Sequence, residues 1–238
     1  MSGEPQPAPG VPLPPGRKQA VFGLLVAAAV VGVLAWLIPR ALDSAAGPEA
    51  ELLVALKRYE RDGIEEALPS GTLRGAKAQY ARLAFTLDGE GRATVRATLD
   101  FSGTFSRPDG EVTQVSSLGV EVVGFVREGE SWRLERGPCP LLAAALTALE
   151  ARRKAIEAGD VSALGVRPEG ELQEWITVGH RRLRAKAWYL RSERDEVTVS
   201  EDFRLTGDLP DRPVDLQGTK RLTLQSRGRE FFFPHGLM

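Results

Sequence analysis

The sequence predicts an α+β protein, in which one N-terminal transmembrane helix precedes two units that each combine helix with antiparallel sheet. Residues 20–38 carry only apolar side chains. In the remainder of the chain, apolar residues at helical spacing give way to alternation with a period of two, and this order occurs twice. We therefore divide the chain into a Pro-rich tail at 1–18, a membrane segment at 19–39, a first unit at 48–137 and a second unit at 140–238.

The membrane segment is roughly nineteen residues long, or about 28 Å as a helix, which matches the hydrocarbon core of a bilayer. It is longer than the apolar region of a cleaved signal peptide, which favours an uncleaved signal-anchor. Arg17 and Lys18 precede it, whereas Arg40 is soon followed by Asp43. Because positive charge stays on the cytoplasmic side, we expect a single-pass inner (plasma) membrane protein with a cytoplasmic N-terminus and periplasmic units.

Small residues recur in the membrane segment at the spacing of helix–helix contacts, although lipid-facing filler explains them equally well; they are Gly23, Ala27, Ala28 and Gly32. We expect the tail at 1–18 to be disordered, because proline and glycine dominate it. The partners implied so far are the lipid bilayer and either a protein partner or a second copy of the chain. The scarcity of lysine beside arginine is typical of a GC-rich bacterial coding sequence.

Composition narrows the function classes. The net charge of -1 gives no basic field for nucleic acid. The single cysteine, Cys139, rules out a multi-cysteine metal site. His180 and His235 are the only near-neutral bases, and both fit surface positions. The sequence therefore predicts no catalytic residue, no metal site and no cofactor.

The first unit begins with apolar residues at helical spacing over 52–68, which predict one helix of about five turns ending near Pro69. Strands follow over 83–87 and 93–105, and two more lie before residue 135. Pairing Phe105 with Val112 places apolar side chains opposite one another on one face, which predicts the register of this hairpin. In this register Leu118, Val120 and Val122 face the core.

The second unit repeats this order. Pro140 opens a helix that ends at Gly159, and a short helix follows around residues 172–176. Strands are predicted over 183–193, 197–206, 214–226 and 230–233. The shared order of elements predicts a duplication, with chance similarity between amphipathic strands as the alternative.

One long helix against a curved antiparallel sheet resembles the cystatin-like roll. The second unit, with its helices over 142–156 and 172–176 and its strands to Phe233, is similar to the cone-shaped nuclear-transport-factor-like superfamily, which includes the ketosteroid isomerases. Some bacterial secretion-system inner-membrane proteins likewise place such a fold on one N-terminal anchor. The resemblance implies a fold and no functional residue, because this superfamily includes enzymes, ligand binders and interaction modules.

Two acid–base positions on the second hairpin are candidates for ligand binding. Pairing Leu205 with Leu216 places Glu201 opposite Lys220 on the otherwise apolar face. A carboxylate buried there needs a partner, which Lys220 supplies, and in a cone-shaped fold this face lines a pocket. The alternative is an ion pair at the solvated rim.

A second candidate is a basic strand face for partner binding, made of Arg182, Arg184, Lys186 and Trp188. Such a face fits acidic protein or anionic headgroups, and a solvated strand surface is the alternative. Two functions stay open at this point. One is a membrane-anchored, extracytoplasmic interaction or scaffold module without catalytic activity. The other is a small-molecule binder or isomerase that uses a pocket lined by Glu201.

Overall fold

The computed structural model describes residues 47–89, 91–164, 169–193, 195–227 and 230–234. The described helices are α1 (Pro48–Asp62), α2 (Pro140–Ala158) and α3 (Gly170–Thr177), with a 3-10 turn at Ser162–Leu164. The first five strands are β1 (Ile64–Leu68), β2 (Gly71–Asp88), β3 (Arg92–Ser106), β4 (Val112–Glu128) and β5 (Ser131–Leu134). The last four are β6 (Gly179–Glu193), β7 (Glu196–Leu209), β8 (Arg212–Arg227) and β9 (Glu230–Phe232). The α+β class is confirmed.

The tail at 1–18 and the predicted membrane segment at 19–39 lie outside the described residues. Within the described ranges, no helix is long and apolar enough to cross a membrane. The small residues of the segment lie outside these ranges too: Gly23, Ala27, Ala28 and Gly32.

The strands of both predicted units belong to one nine-stranded sheet, with the order β1-β2-β3-β4-β6-β7-β8-β9 and with β5 against β4. Among the described strands, all pairs are antiparallel except β4 with β6, where Gln114 to Gly119 run parallel to Ala187 to Ser192. A parallel pair needs a long crossover, and the chain between β4 and β6 supplies it with β5, α2 and α3.

Helix α2 packs on one face of this sheet, against β4, β6 and β9. We call this the inner face and the opposite one the outer face. Pro140 opens α2, and Gly159 closes it with a left-handed φ of 73°, as the sequence predicted. The helix buries an apolar stripe that includes Leu142, Leu146, Leu149 and Ile156.

The predicted first helix is too long. In the structure this helix, α1, ends at Asp62, because Gly63 adopts a left-handed φ of 82° that stops the helix. Residues 64–68 then form β1, which pairs with residues 71–75 of β2. Ile64 and Leu68 fit the helical spacing, but pairing with β2 places Ile64 in the core instead.

The predicted register of the β3–β4 hairpin is wrong by one residue. The turn covers residues 107–111, where the N–H of Arg107 donates to the carbonyl of Glu111, so that Ser106 pairs with Val112. A slip of one residue exchanges the two faces of a strand. Leu118, Val120 and Val122 therefore lie on the outer face, while Thr113, Val115, Ser117, Glu121, Val123 and Phe125 lie on the inner face.

Candidate functional site

Glu201 lies on the inner face of β7, where the sequence predicted it. The register of the β7–β8 hairpin is confirmed, since Leu205 is opposite Leu216 and Glu201 is opposite Lys220. The Glu201 residue is only 1% exposed. A carboxylate at this depth requires hydrogen-bonding or charged partners.

Those partners come from elements other than β8. Arg152 of α2 places its Nη1 2.7 Å from Oε2 of Glu201, and the indole Nε1 of Trp188 donates to Oε1 at 3.0 Å. All three side chains are buried. The predicted Glu201–Lys220 ion pair is wrong, because α2 crosses the inner face and brings a guanidinium to the carboxylate.

Lys220 instead reaches α3. Its ammonium binds the carboxylate of Glu171 and lies 5.9 Å from the ring centroid of Trp175. The Lys220 side chain is 22% exposed and that of Glu171 is 44% exposed. This pair lies at the rim of the inner face, so the structure does not bring the two predicted ligand-binding residues together.

A second buried ion cluster was not predicted. Glu150 of α2 lies 2.6 Å from Nη2 of Arg107 and 3.0 Å from Nε of Arg153. Glu150 follows Leu146 by four residues, so the two lie on the same face of the helix. This spacing indicates from the sequence that Glu150 is buried. In both clusters the carboxylate oxygens are engaged by guanidinium or indole donors. The clusters therefore tie α2 to the sheet and leave no free general base there.

A group of acids and one thiol lies at the start of α2. The backbone N–H groups of Leu141 and Leu142 donate to the carboxylate of Glu121 at 2.9 and 2.8 Å. The thiol of Cys139 donates to Glu66 at 3.4 Å. Burial raises the pKa of Glu121 to about 8 and holds the pKa of Cys139 well above its usual value. The thiol is therefore neutral at physiological pH and a poor nucleophile.

Burial of Glu121 was not predicted from the sequence, because the predicted β4 register placed this residue on the outer face. Cys139 is fully buried as well. Tyr80 completes the group, since its hydroxyl donates to the carbonyl of Pro138 at 2.7 Å. Burial raises the pKa of Tyr80 above its usual value as well.

Three of the four predicted basic-face residues lie on the outer face of β6. Arg182 and Arg184 both bind Glu111, at 2.9 and 2.7 Å, and Lys186 is exposed beside them. Trp188 does not share this face, because a register shift between Ala185 and Ala187 turns it into the core. The basic face is thus smaller than predicted and is partly neutralised.

The outer face also carries apolar residues. Leu118 is 53% exposed and Val122 is 42% exposed, with Val120 between them on β4. Tyr189 of β6 is 51% exposed and lies beside Ser116, one step along the face from Leu118. We call these four residues the outer-face strip.

Surface hollows adjoin the outer-face strip and the start of β8. One hollow of about 720 Å³ lies next to Tyr189 on β6, β7 and β8 and is lined by Arg191, Thr198, Ser200 and Arg221 among others. Another, of about 620 Å³, lies between α3 and the start of β8. A third, also of about 620 Å³, surrounds the turn at Asp195. Glu201 lines none of these three.

Comparison with known proteins places the chain in no family. No family model matches it, and no curated protein matches it. Among solved structures, it is similar to an Ntf2-like protein involved in plasmid conjugation, at 11% identity, with a TM-score of 0.25 over 68% of this chain and 75% of that one. The similarity is too low to transfer any residue or role.

Proposed function

We propose that the chain is a membrane-anchored interaction or scaffold module without catalytic activity, which presents its sheet outside the cytoplasm. In this proposal residues 19–39 form the anchor, and the helix-plus-sheet region has the cone-shaped, nuclear-transport-factor-like arrangement that its element order resembles. The protein partner contacts the outer face of the sheet.

The outer-face strip is the observation that supports this proposal most directly. β4 lies within the sheet, with β3 and β6 as its neighbours, and the side of β4 that faces solvent carries Leu118, Val120 and Val122. Adjacent exposed apolar residues, bordered by charges, are typical of protein–protein contact surfaces. The border includes the Lys77–Asp100 pair, at 2.8 Å, and the Arg191–Glu193 pair, at 2.9 Å.

The alternative of a small-molecule binder or isomerase depended on Glu201 in an open pocket. Its carboxylate is instead engaged by Arg152 and Trp188, and Lys220 is engaged by Glu171. A general base needs lone pairs that a substrate proton can reach. The geometry at Glu201 therefore favours a structural role for this residue.

The test is photo-crosslinking in native membranes. A benzoylphenylalanine replaces Val122 in the strip, and in a matched control it replaces Val54, an exposed valine on α1. We expect adducts of defined mass from position 122 and few from position 54, because in this proposal the strip contacts the partner and α1 does not. Equal labelling at the two positions, or none at 122, would contradict the proposal.

The anchor is tested separately. A reporter that is active only outside the cytoplasm, fused after Met238, should be active, because Arg17 and Lys18 hold the N-terminus inside. The full-length protein should also resist carbonate extraction from membranes. An inactive external reporter together with a fluorescent cytoplasmic one would reverse the proposed orientation.

A further inference from the structure

Strand β8 is paired along nearly its whole length on one side only. β7 pairs with it from Arg212 to Gln225, whereas β9 pairs only with residues 225–227 on the other side. Within the described ranges, no strand pairs with residues 212–224 at this second edge. The N–H and C=O groups that point outward there are a template for another strand.

The usual protections of an edge strand are weak here. Pro213 removes one N–H, but only at the second position of the strand. A lysine on an edge strand often prevents pairing with another chain, but Lys220 directs its ammonium inward to Glu171 and Trp175. The edge from residue 214 onward is therefore left accessible.

A hollow of about 620 Å³ adjoins the start of this strand. Trp175 and Val178 line it from the α3 side, and Val214 and Leu216 line it from β8. Leu216 is 46% exposed. Trp175 is buried, and its indole N–H has no acceptor in the part of the chain that the structure describes. The hollow thus combines apolar walls with charged side chains, which include Glu174, Arg212 and Asp215.

The charges along β8 favour a negative partner. Arg212 and Arg221 are both exposed, and neither has a carboxylate partner among the described residues. The other charged side chains of this stretch are already paired, Asp215 with Arg204 and Lys220 with Glu171. Two unpaired cations remain on one strand, which complements acidic side chains at the ends of a bound segment.

We propose that the open edge of β8 binds an extended, acidic segment of a partner protein, which adds to the sheet as a strand. Main-chain hydrogen bonds to β8 provide affinity, and an apolar side chain of the segment beside Leu216 enters the hollow and provides specificity. This site is separate from the outer-face strip and does not require that the chain be anchored in a membrane.

The test uses full-length protein in mild detergent and a fluorescein-labelled peptide of nine residues. The peptide has leucine at its centre, alternating valine and threonine on either side and glutamate at both ends. We expect saturable binding by anisotropy, and slower amide exchange in residues 214–221 when the peptide is present. A peptide with lysine in place of glutamate should bind at least about tenfold more weakly.

Backbone methylation separates strand addition from other binding modes. An added strand uses only the N–H groups on one of its own edges. N-methylation of one alternate set of peptide residues should weaken binding about tenfold or more, and methylation of the other set less than about twofold. Equal effects of the two sets would overturn strand addition.

A matched pair of protein variants locates the site. Leu216→Asp places a charge in the hollow and should weaken peptide binding about tenfold or more, whereas Leu118→Asp, at a similarly exposed leucine on the outer face, should change it less than about twofold. Equal effects, or no binding at millimolar peptide, would overturn the proposal. The proposal would also be overturned if the protein forms a concentration-dependent dimer that Leu216→Asp abolishes but that the peptide does not dissociate. None of these outcomes bears on crosslinking at Val122, so the two proposals can fail separately.

Discussion

The inner face of the sheet buries two carboxylates that are stabilised in different ways. Glu121 on β4 is 3% exposed and accepts hydrogen bonds from two backbone N–H groups at the start of α2. Glu201 on β7 is 1% exposed and binds the guanidinium of Arg152 and the indole of Trp188. The first has partial positive charge from a helix terminus, and the second has a full countercharge.

The environment of Glu121 predicts that its ionisation changes the stability of the fold with pH. Burial dominates at Glu121 and raises its pKa from 4.5 to about 8, although the two N–H groups oppose this shift. A helix terminus therefore offsets only part of the cost of burying a charge. At Glu201, Arg152 supplies a full opposite charge at 2.7 Å.

The largest expected effect is at the ion pair. Arg152→Met leaves Glu201 buried without its countercharge, and we expect a loss of about 3–5 kcal/mol in the free energy of unfolding. Adding Glu201→Leu should restore much of the loss, since the unpaired charge is then removed. Urea unfolding of both single variants and the double variant measures the coupling, and a coupling below about 0.5 kcal/mol would show that the two sites are independent.

The next effect is the pH dependence from Glu121. A folded-state pKa that is raised means that the folded protein binds more protons than the unfolded chain between pH 4.5 and 8. Stability is then full below pH 4.5, decreases as the pH rises to about 8 and levels off above it, with a total loss of several kcal/mol.

Glu121→Gln is the control for this prediction. It removes the titration and should flatten the dependence of the unfolding free energy on pH over this range. The variant should be less stable than the wild type in acid by about 1–2 kcal/mol, because the amide NH₂ cannot accept the second backbone hydrogen bond. An unchanged pH profile in the variant would refute the role of Glu121.

A smaller effect is expected from the indole donor. Trp188→Phe removes the N–H that donates to Glu201 while Arg152 remains, and we expect a cost of about 1–3 kcal/mol. Trp132→Phe is the matched control, because its indole donates to the exposed Glu51 at 2.9 Å and its loss should cost less than about 0.5 kcal/mol. Thermal or urea unfolding distinguishes them, and equal costs would count against a buried bond at Glu201.

The smallest effect is expected at Lys220. Because it pairs with Glu171 at the rim, Lys220→Ala should cost about 0–1 kcal/mol. If Lys220 paired with the buried Glu201, as the sequence predicted, the same substitution would cost about 3–5 kcal/mol in the free energy of unfolding. A urea titration therefore decides between the two partners.

The two long hairpins show where sequence reasoning succeeds. On β7 and β8 only one register puts Leu205, Val199 and their partners on the same face, and that register is confirmed. On β4 both faces carry apolar residues, so the apolar pattern is compatible with two registers. The predicted register, which pairs Phe105 with Val112, was wrong. The inner face of β4 includes polar residues that find distant partners, such as Thr113, whose hydroxyl donates to the carbonyl of Ala185 at 2.8 Å.

By itself the sequence determined the α+β class, the start and end of α2, the short α3 and most of the strands of the second half, because these depend on local periodicity and on capping residues. Only the tertiary structure decided which charges are buried together. Arg152 reaches Glu201 across 49 positions of the chain, and Arg107 reaches Glu150 across 43. The parallel pairing of β4 with β6 likewise brings together strands that the sequence placed in separate units. Contacts of this kind depend on how elements pack, which no local pattern records.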